Sequence, residues 1–588
     1  MKKWLSMMLT ASMALSIAAC SGGGAVEETG ANEGEAPAAG EKPASSDSGA
    51  ADAGGENGFA NGKYDPPITI STVVGLDENA AVFKEGESIE DNVHTRLVKE
   101  RLGIEIKYNW VVTNTNDAYK TKLRLMLSSG EKMPDVVRYR GDMETVNLLI
   151  DSGQFMPVDE LVEKYAGEEY KKGLELDPTI WFPITRDGKK MALPILDYAY
   201  NGNQALFIRE DWLKKLNLTA PTTLEEMEAV MDAFVNQDPD GNGQKDTIGI
   251  AAGFKNGFNN WMTDIGFVFG AHGVIPGSWN PGADGKLAMG SVDPAAKEAL
   301  TVLNRWMEKG YIHQDAALKD EVGGAEYFTK GQAGMMVGPN WIPAWPLPDL
   351  EANVPGVEYK AYPLPKGPSG KAGGAGNNPP VNGYLFVNKD AKHPEAILRY
   401  YNFFYDNLAN PAPGSEFALG FAEGYDYAVA PDGKVIRNNN DAKAHPDLFP
   451  GVDLNQSLPN PFFYTLTYEG ARIPTLYADS MVKAANGGAL ETPYEQMEVG
   501  GRKPQNIHAM KVVMDNIDDY IKNYYMGPLT ETMQSKNELL NKLVNETYNK
   551  IIYGQAPIDE FDKMVDNWKK SGGEKITEEV NAWYDGVK

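Results

Sequence analysis

Ile68-Thr-Ile-Ser-Thr-Val-Val74, an apolar stripe at Val93, Leu97 and Leu102 ending at Gly103, and then Ile104-Glu-Ile-Lys-Tyr-Asn-Trp-Val-Val112 read as strand, helix, strand. The outer two segments are short and rich in β-branched residues. The middle one repeats at helical spacing and stops at a glycine suited to the left-handed residue that follows a helix. Two strands joined through a helix run parallel, so this unit predicts an α/β protein with mainly parallel sheets.

The alternation continues downstream. Further strands are expected at residues 135–139, 205–208, 247–250, 334–337 and 384–387. Between them, Tyr119, Leu123, Met126 and Leu127 form a stripe before Gly130. Thr223 and Glu226 suggest a capping box for a helix with Leu224, Met227, Met231 and Phe234 on its apolar face. Asp293-Pro294 opens a helix with Leu300 and Leu303 inward and Gly310 as its stop, and His393-Pro-Glu395 starts another. After about Asn506 the chain reads as helical, including 512–525 and 538–552. A length of 588 residues with 42% apolar content supplies more than one core, which suits two lobes.

Upstream of the first strand the chain changes character. Lys2 and Lys3 precede an apolar run from Trp4 to Ile17, and the small residues Ala18 and Ala19 precede Cys20, the order of an export signal. Ile17-Ala-Ala-Cys20 resembles a bacterial lipobox, whose cysteine carries diacylglycerol and becomes the new N-terminus. An ordinary signal peptide or a membrane anchor is the alternative, although the run falls short of the roughly 20 residues a spanning helix needs. Cys20 is the single cysteine, so no internal disulfide can form. Residues 21–61 are dominated by Gly, Ala, Ser, Glu and Pro. The expected organisation is a signal peptide at 1–19, a disordered lipid-linked tether at 20–66, and folding from near Pro67. That places the body at the extracellular face of the cell membrane, anchored by lipid. A net charge of −27 opposes phosphate backbones, so no nucleic-acid partner is expected.

Two segments point to binding chemistry. In Asp238-Pro-Asp-Gly-Asn-Gly-Gln-Lys-Asp246, oxygen side chains at Asp238, Asp240, Asn242 and Asp246 recur as in an EF-hand loop. Gly243 occupies the sharp turn and Gln244 offers a backbone carbonyl. Gly249 stands where the bidentate glutamate would be, so the alternatives are a structural calcium site and an Asx-rich turn that binds nothing. Aromatic residues also lie in loop-like segments: Trp341 and Trp345 in Gly338-Pro-Asn-Trp-Ile-Pro-Ala-Trp345, and Tyr198 and Tyr200 in Asp197-Tyr-Ala-Tyr-Asn-Gly-Asn203. Sugar C–H faces stack on such rings, and sugar hydroxyls pair with side chains such as Asp197. For any one ring, core packing is the competing reading. No HExxH motif, Walker loop or dinucleotide fingerprint occurs, and the six histidines lack metal-ligand spacing.

Several segments together resemble the extracellular solute-binding protein family 1, in its large Gram-positive lipoprotein branch. They include Ile184-Thr-Arg-Asp-Gly-Lys-Lys-Met-Ala-Leu-Pro194, Leu206-Phe-Ile-Arg-Glu-Asp-Trp-Leu213, Pro221-Thr-Thr-Leu-Glu-Glu226, Phe328-Thr-Lys-Gly-Gln-Ala-Gly-Met335, Gly338-Pro-Asn-Trp341 and His393-Pro-Glu-Ala396. The resemblance implies a periplasmic-binding-protein fold of the second type, two α/β lobes with a hinge and a ligand cleft, plus extra C-terminal helices. On that pattern 67–204 begins lobe 1, 205–381 begins lobe 2, 382–430 returns to lobe 1, and 431–588 forms the rest of lobe 2 and the C-terminal helices. It also implies that Trp341 stacks on the ligand, with Tyr139 as a second stacking ring and Arg140 and Asp142 as hydroxyl partners. The implied function is monomeric, non-enzymatic capture of a carbohydrate, an oligosaccharide in the first instance, for an ABC importer whose permease and ATPase are other chains. A surface glycan hydrolase or lyase, and a binding protein for peptides or other solutes, are the alternatives.

Overall fold

The computed structural model describes residues 58–76, 82–113, 117–370, 372–374, 379–409, 411–467, 473 and 477–588. Cys20, the export signal and most of the expected tether lie outside the described residues. Strand β1 (Ile68–Leu76) pairs in parallel with β2 (Ile104–Thr113), as the opening unit requires. Helix α1 (Val93–Leu102) joins them and ends at Gly103 with φ 66°. Next to β1 lies β3 (Val136–Tyr139): Ser71 donates from N and Oγ to Asp135 Oδ2 at 2.8 and 2.6 Å, and Asp135 N donates to Ser71 Oγ at 2.9 Å. After β4 (Leu193–Leu196) the chain crosses to a second sheet through β5 (Gln204–Arg209). There β6 (Ile248–Ala251) and β7 (Ala333–Pro339) are parallel, while β5 runs antiparallel between β7 and β8 (Tyr359–Tyr362). The chain then recrosses as β9 (Val381–Val387), antiparallel to both β3 and β4. Each sheet is thus entered by one antiparallel strand arriving from the other lobe without a crossover helix.

Two cores form on these sheets. The first gathers Ile70, Val98, Ile104, Leu123, Val137, Leu193, Leu385 and Tyr401. The second gathers Leu206, Met227, Met231, Phe234, Ile250, Leu300, Leu303 and Met335. The faces predicted at Leu224–Phe234 and Leu300–Leu303 are the buried ones, whereas α1 buries His94, Val98 and Leu102 and leaves the predicted Val93 and Leu97 at the edge of that face. Burying eight such side chains in one core stabilises it by roughly 1.5–3 kcal/mol each before conformational entropy is counted. The capping box at Thr223 is half formed. Thr223 Oγ1 accepts from Glu226 N at 3.2 Å, but Glu226 Oε2 turns to Thr222 N and Oγ1, both at 2.7 Å.

Three expectations need correction. Regular structure is already present ahead of Pro67: Phe59–Ala60 and Lys63–Tyr64 form a hairpin. Tyr64 is fully buried with its hydroxyl 3.3 Å from Glu395 Oε1, and Arg399 sits 4.6 Å over the Phe59 ring. Two aromatics in a polar stretch suffice here because the rest of the pocket is supplied from distant helices. Within the span assigned to the second lobe, Tyr464, Leu466 and Ile473 pack with the first lobe instead. Tyr464 lies against Val74, Ile89 and Tyr108, and Leu466 and Ile473 join the first core. Finally, 512–525 is not one helix: it ends at Asp515, and after a single 3₁₀ turn Tyr520 OH reaches Gln204 O at 2.6 Å. The later helices, Glu531–Ile552, Glu560–Trp568 and Glu574–Asp585, pack on the second core through Leu540, Tyr548, Phe561, Trp568 and Val580. Among the described residues, no helix is long and apolar enough to cross a membrane.

Candidate functional site

Strand β7 delivers Asn340 and Trp341 beside the crossing segment. Asn340 is buried: its Nδ2 donates to Ala199 O at 3.3 Å, and its carbonyl accepts from Asn506 Nδ2 at 3.2 Å. The turn is thereby fixed from both sides. Its product is a set of three nearly parallel indoles. Trp341 and Trp261 have centroids 5.6 Å apart at 23°, Trp261 and Trp345 6.2 Å at 18°, and Trp341 and Trp345 6.4 Å at 22°. Trp261 and Trp345 remain 38% and 47% exposed. Large apolar rings left in solvent beside a polar cleft are unusual for core material and suit a ligand with apolar faces.

Trp261 was not singled out in the sequence. It lies in Gly257-Phe-Asn-Asn-Trp261, and the Asn-Trp pair with nearby Gly that marks Trp341 would have found it. Its loop is pinned from beneath. Asp264 Oδ1 accepts from Asn260 N at 3.1 Å and Gly266 N at 2.9 Å, and Thr263 N donates to Val337 O at 2.8 Å. Asp264 is buried. Burial pushes its carboxyl up to about 7, against the opposing effect of the Gly266 and Asn260 N–H groups. Beside Trp261 and the crossing residue Gly202 opens a cleft of about 570 Å³.

The other expected ligand contacts are placed differently. Tyr139 is buried, its ring stacked 6.2 Å from Tyr119 and its hydroxyl donating to Asp142 Oδ2 at 2.9 Å, so it offers no face for stacking. Asp142 caps the helix Met143–Asp151. It accepts from Thr145 N at 2.9 Å and Thr145 Oγ1 at 3.0 Å, and Arg124 Nη2 lies 3.0 Å away. Burial would raise its carboxyl, but the Thr145 N–H, the Tyr139 and Thr145 hydroxyls and Arg124 together bring it down to about 2. Arg140 is exposed. Tyr198 is a core residue whose hydroxyl donates to Gly173 O at 2.8 Å. Tyr200, with φ 53°, packs edge-on to Tyr198 and touches both the first core and a further cluster around Phe207, Met336 and Ile342. Asp197 accepts from Ala199 N at 3.2 Å and Asn201 Nδ2 at 3.4 Å. These three residues shape the crossing. Trp341 and Trp345 come together; 139–142 and 197–198 do not join them in one cluster.

The loop at 238–246 has the curl of a cation loop. Gly241 N and Gly243 N donate to the two Asp238 carboxylate oxygens at 3.1 and 3.2 Å, and Gly241 and Gly243 have φ 77° and 74°. Asn242 Nδ2 lies between Asp240 Oδ2 at 2.8 Å and Asp246 Oδ1 at 3.2 Å. Asp240 is raised by its own desolvation and by the neighbouring Asp238 and Asp246. The Asn242 amide thus bridges the Asp240 and Asp246 carboxylates as a hydrogen-bond donor. Among the described residues no three His, Cys, Asp or Glu side chains converge as a formed metal site. Gln244 contributes its N–H to Asn242 Oδ1 at 2.6 Å.

Residues 80–410 match the family described as bacterial extracellular solute-binding protein. The polygalacturonan/rhamnogalacturonan-binding protein YtcQ of Bacillus subtilis is 23% identical over 538 residues, covering 87% of this chain and 95% of YtcQ. A solute-binding protein from Bifidobacterium longum infantis, described as binding HMO, superposes with TM-score 0.57 at 18% identity over 88% of this chain and 99% of that one. The Streptococcus pneumoniae substrate-binding protein FusA, as an EF-hand mutant with fructo-nystose, gives 0.54 at 18% over the same shares. Two sheets exchanging one antiparallel strand each, and a match over more than half the length, lead to one conclusion: this chain belongs to the bacterial extracellular solute-binding protein family.

Proposed function

We propose that this protein is an extracellular receptor that captures a carbohydrate between its lobes, as an intact oligosaccharide, and passes it to the permease of an ABC importer. The carrying observation is the Trp341–Trp261–Trp345 platform, exposed where the chain crosses between lobes. Stacking on indoles supplies affinity for sugar C–H faces, and flanking polar groups, with Arg140 on the first lobe, supply hydroxyl contacts. The names of the relatives agree in kind, since they mention galacturonan, HMO and fructo-nystose. No bond is made or broken on this reading. A sugar touching both lobes stabilises the closed arrangement, and the importer responds to that shape.

The protein would act as a monomer held at the membrane by lipid on Cys20, with residues 20–57 as its tether. Asp238, Asp240, Asn242, Asp246 and the Gln244 carbonyl would hold a calcium ion. Bound there, calcium would neutralise the loop carboxylates and tie the end of helix Leu224–Asn236 to β6. The test is calorimetry of the purified protein against an oligosaccharide panel, with chromatography of the sugars afterwards. Saturable one-to-one binding with sugars recovered intact is expected; shortened products would replace this reading with that of a hydrolase or lyase.

A further inference from the structure

The cleft beside Trp261 has an unusual lining. Charged residues make up 23% of the chain and its net charge is −27, yet none of the residues lining this cleft is charged. Six are asparagines: Asn256, Asn259, Asn260, Asn523, Asn541 and Asn545. Three of them serve the scaffold. Asn260 Nδ2 donates to Gly253 O and Gly257 O at 3.2 and 2.9 Å. Asn523 Oδ1 accepts from Trp279 N at 2.8 Å, and Asn256 turns to Glu321 at 3.1 Å. Asn259, Asn541 and Asn545 are exposed.

Asn541 and Asn545 belong to a longer pattern. In the helix Glu531–Ile552, asparagine recurs at 537, 541, 545 and 549, one residue per turn along a single face. Asparagine is a poor helix former because its side chain competes for backbone hydrogen bonds, so four in register work against the helix they occupy. The helix is held by the adjoining stripe, where Leu540, Val544, Tyr548 and Ile551 enter the second core. The amide face is left toward the cleft at 541 and 545.

A carboxamide presents a donor and an acceptor together without charge, which matches a sugar hydroxyl that must do both. A uronate carboxylate is recognised by arginine or lysine, and desolvating it without one is costly. Trp261 lines the cleft and is also a member of the indole stack, so the two surfaces are continuous. We propose that the sugar-binding surface extends from the indole platform into this asparagine-lined groove, which forms a subsite for uncharged sugar units and selects neutral oligosaccharides over uronate-containing ones. This rests on the carbohydrate reading above and deepens it.

The test is calorimetry with maltotetraose, xylotetraose, cellotetraose and nystose as neutral probes and tetragalacturonate as the acidic one. The wild-type protein is compared with N541D/N545D and N541K/N545K, whose folding is checked by melting. At least one neutral tetrasaccharide binds, with tetragalacturonate at least about tenfold weaker. The aspartate pair weakens the neutral ligand by about tenfold, and the lysine pair narrows the gap to tetragalacturonate. Tetragalacturonate binding as tightly as any neutral probe, or unchanged affinities in both variants, overturns the groove while leaving sugar capture standing. Failure of every glycan to bind removes both.

Discussion

Lys522 Nζ lies 2.6 Å from Asp177 Oδ2, joining the segment after the helix Pro504–Asp515 to the first lobe. Each partner is fixed in its own lobe. Asp177 Oδ1 caps the 3₁₀ helix Pro178–Ile184 by accepting from Thr179 N at 3.0 Å, and beside Lys522, Ile521 N donates to Gly374 O at 2.8 Å. Phe182 meets Trp583 edge-on at 6.4 Å on the same side. Lys522→Ala should therefore loosen the approach of the lobes. Small-angle scattering of the ligand-free variant is expected to show a larger radius of gyration than wild type, and ligand affinity should fall by less than about tenfold, since Lys522 is 42% exposed. Identical scattering from both proteins would show that the pair does not bear on the hinge.

Asp264 sets a pH dependence. Its folded value, raised by burial to about 7 from an ordinary 3.8, means the native state keeps the proton where the unfolded chain has lost it. Stability is full below about pH 4 as far as this group is concerned, falls as pH rises to about 7, and is flat above, a change on the order of 4 kcal/mol. Asp264→Asn retains the acceptor for Asn260 N and Gly266 N and cannot ionise. Urea melts should show the variant losing less stability than wild type between these limits. Parallel curves would place the carboxyl's titration elsewhere.

Gly103 carries two demands at once. Its φ is 66°, and a Cβ there would meet Tyr64 O at 2.2 Å, a backbone atom that cannot rotate away. Gly103→Ala should destabilise the protein by about 2–4 kcal/mol and release the hairpin at 59–64. Hydrogen exchange at Phe59 to Tyr64 is the readout, with faster exchange expected and unchanged protection counting against the contact.

The sequence made the alternation legible, because β1, α1 and β2 carry their own punctuation in Val73, Leu102 and Gly103. The strands at 205–208 and 384–387 were legible for the same reason; they run over 204–209 and 381–387, and their antiparallel pairing was not legible. Missed were β4, whose Pro194 argues against a strand, and β8, where Tyr359-Lys-Ala-Tyr362 is too short to show a period. Tyr198 reads as a binding residue because its neighbours are polar, and Tyr139 because the family resemblance implies that the segment after its strand faces the cleft. Their burial comes from Tyr119 and Gly173, partners that no local pattern reveals. Trp261 joins Trp341 only through the parallel pairing of β6 with β7, a long-range fact.

For the loop at 238–246, removal of divalent cations is the decisive manipulation. Treatment with EDTA should lower the melting temperature and added calcium should restore it. Ligand at a hundred times its dissociation constant stabilises by ~2.7 kcal/mol. Asp240→Asn should lose the response to both. A chelator-insensitive melt would leave the segment as a hydrogen-bonded turn.

Sugar capture depends most directly on the indole platform. Calorimetric titration of wild type and of the W261A/W341A variant with the best-binding neutral tetrasaccharide is the measurement. Saturable binding by wild type, weakened at least about a hundredfold in the variant while its melting curve stays cooperative, is the predicted result. Equal affinity in the two proteins, or no saturable binding of any oligosaccharide by wild type, would contradict it.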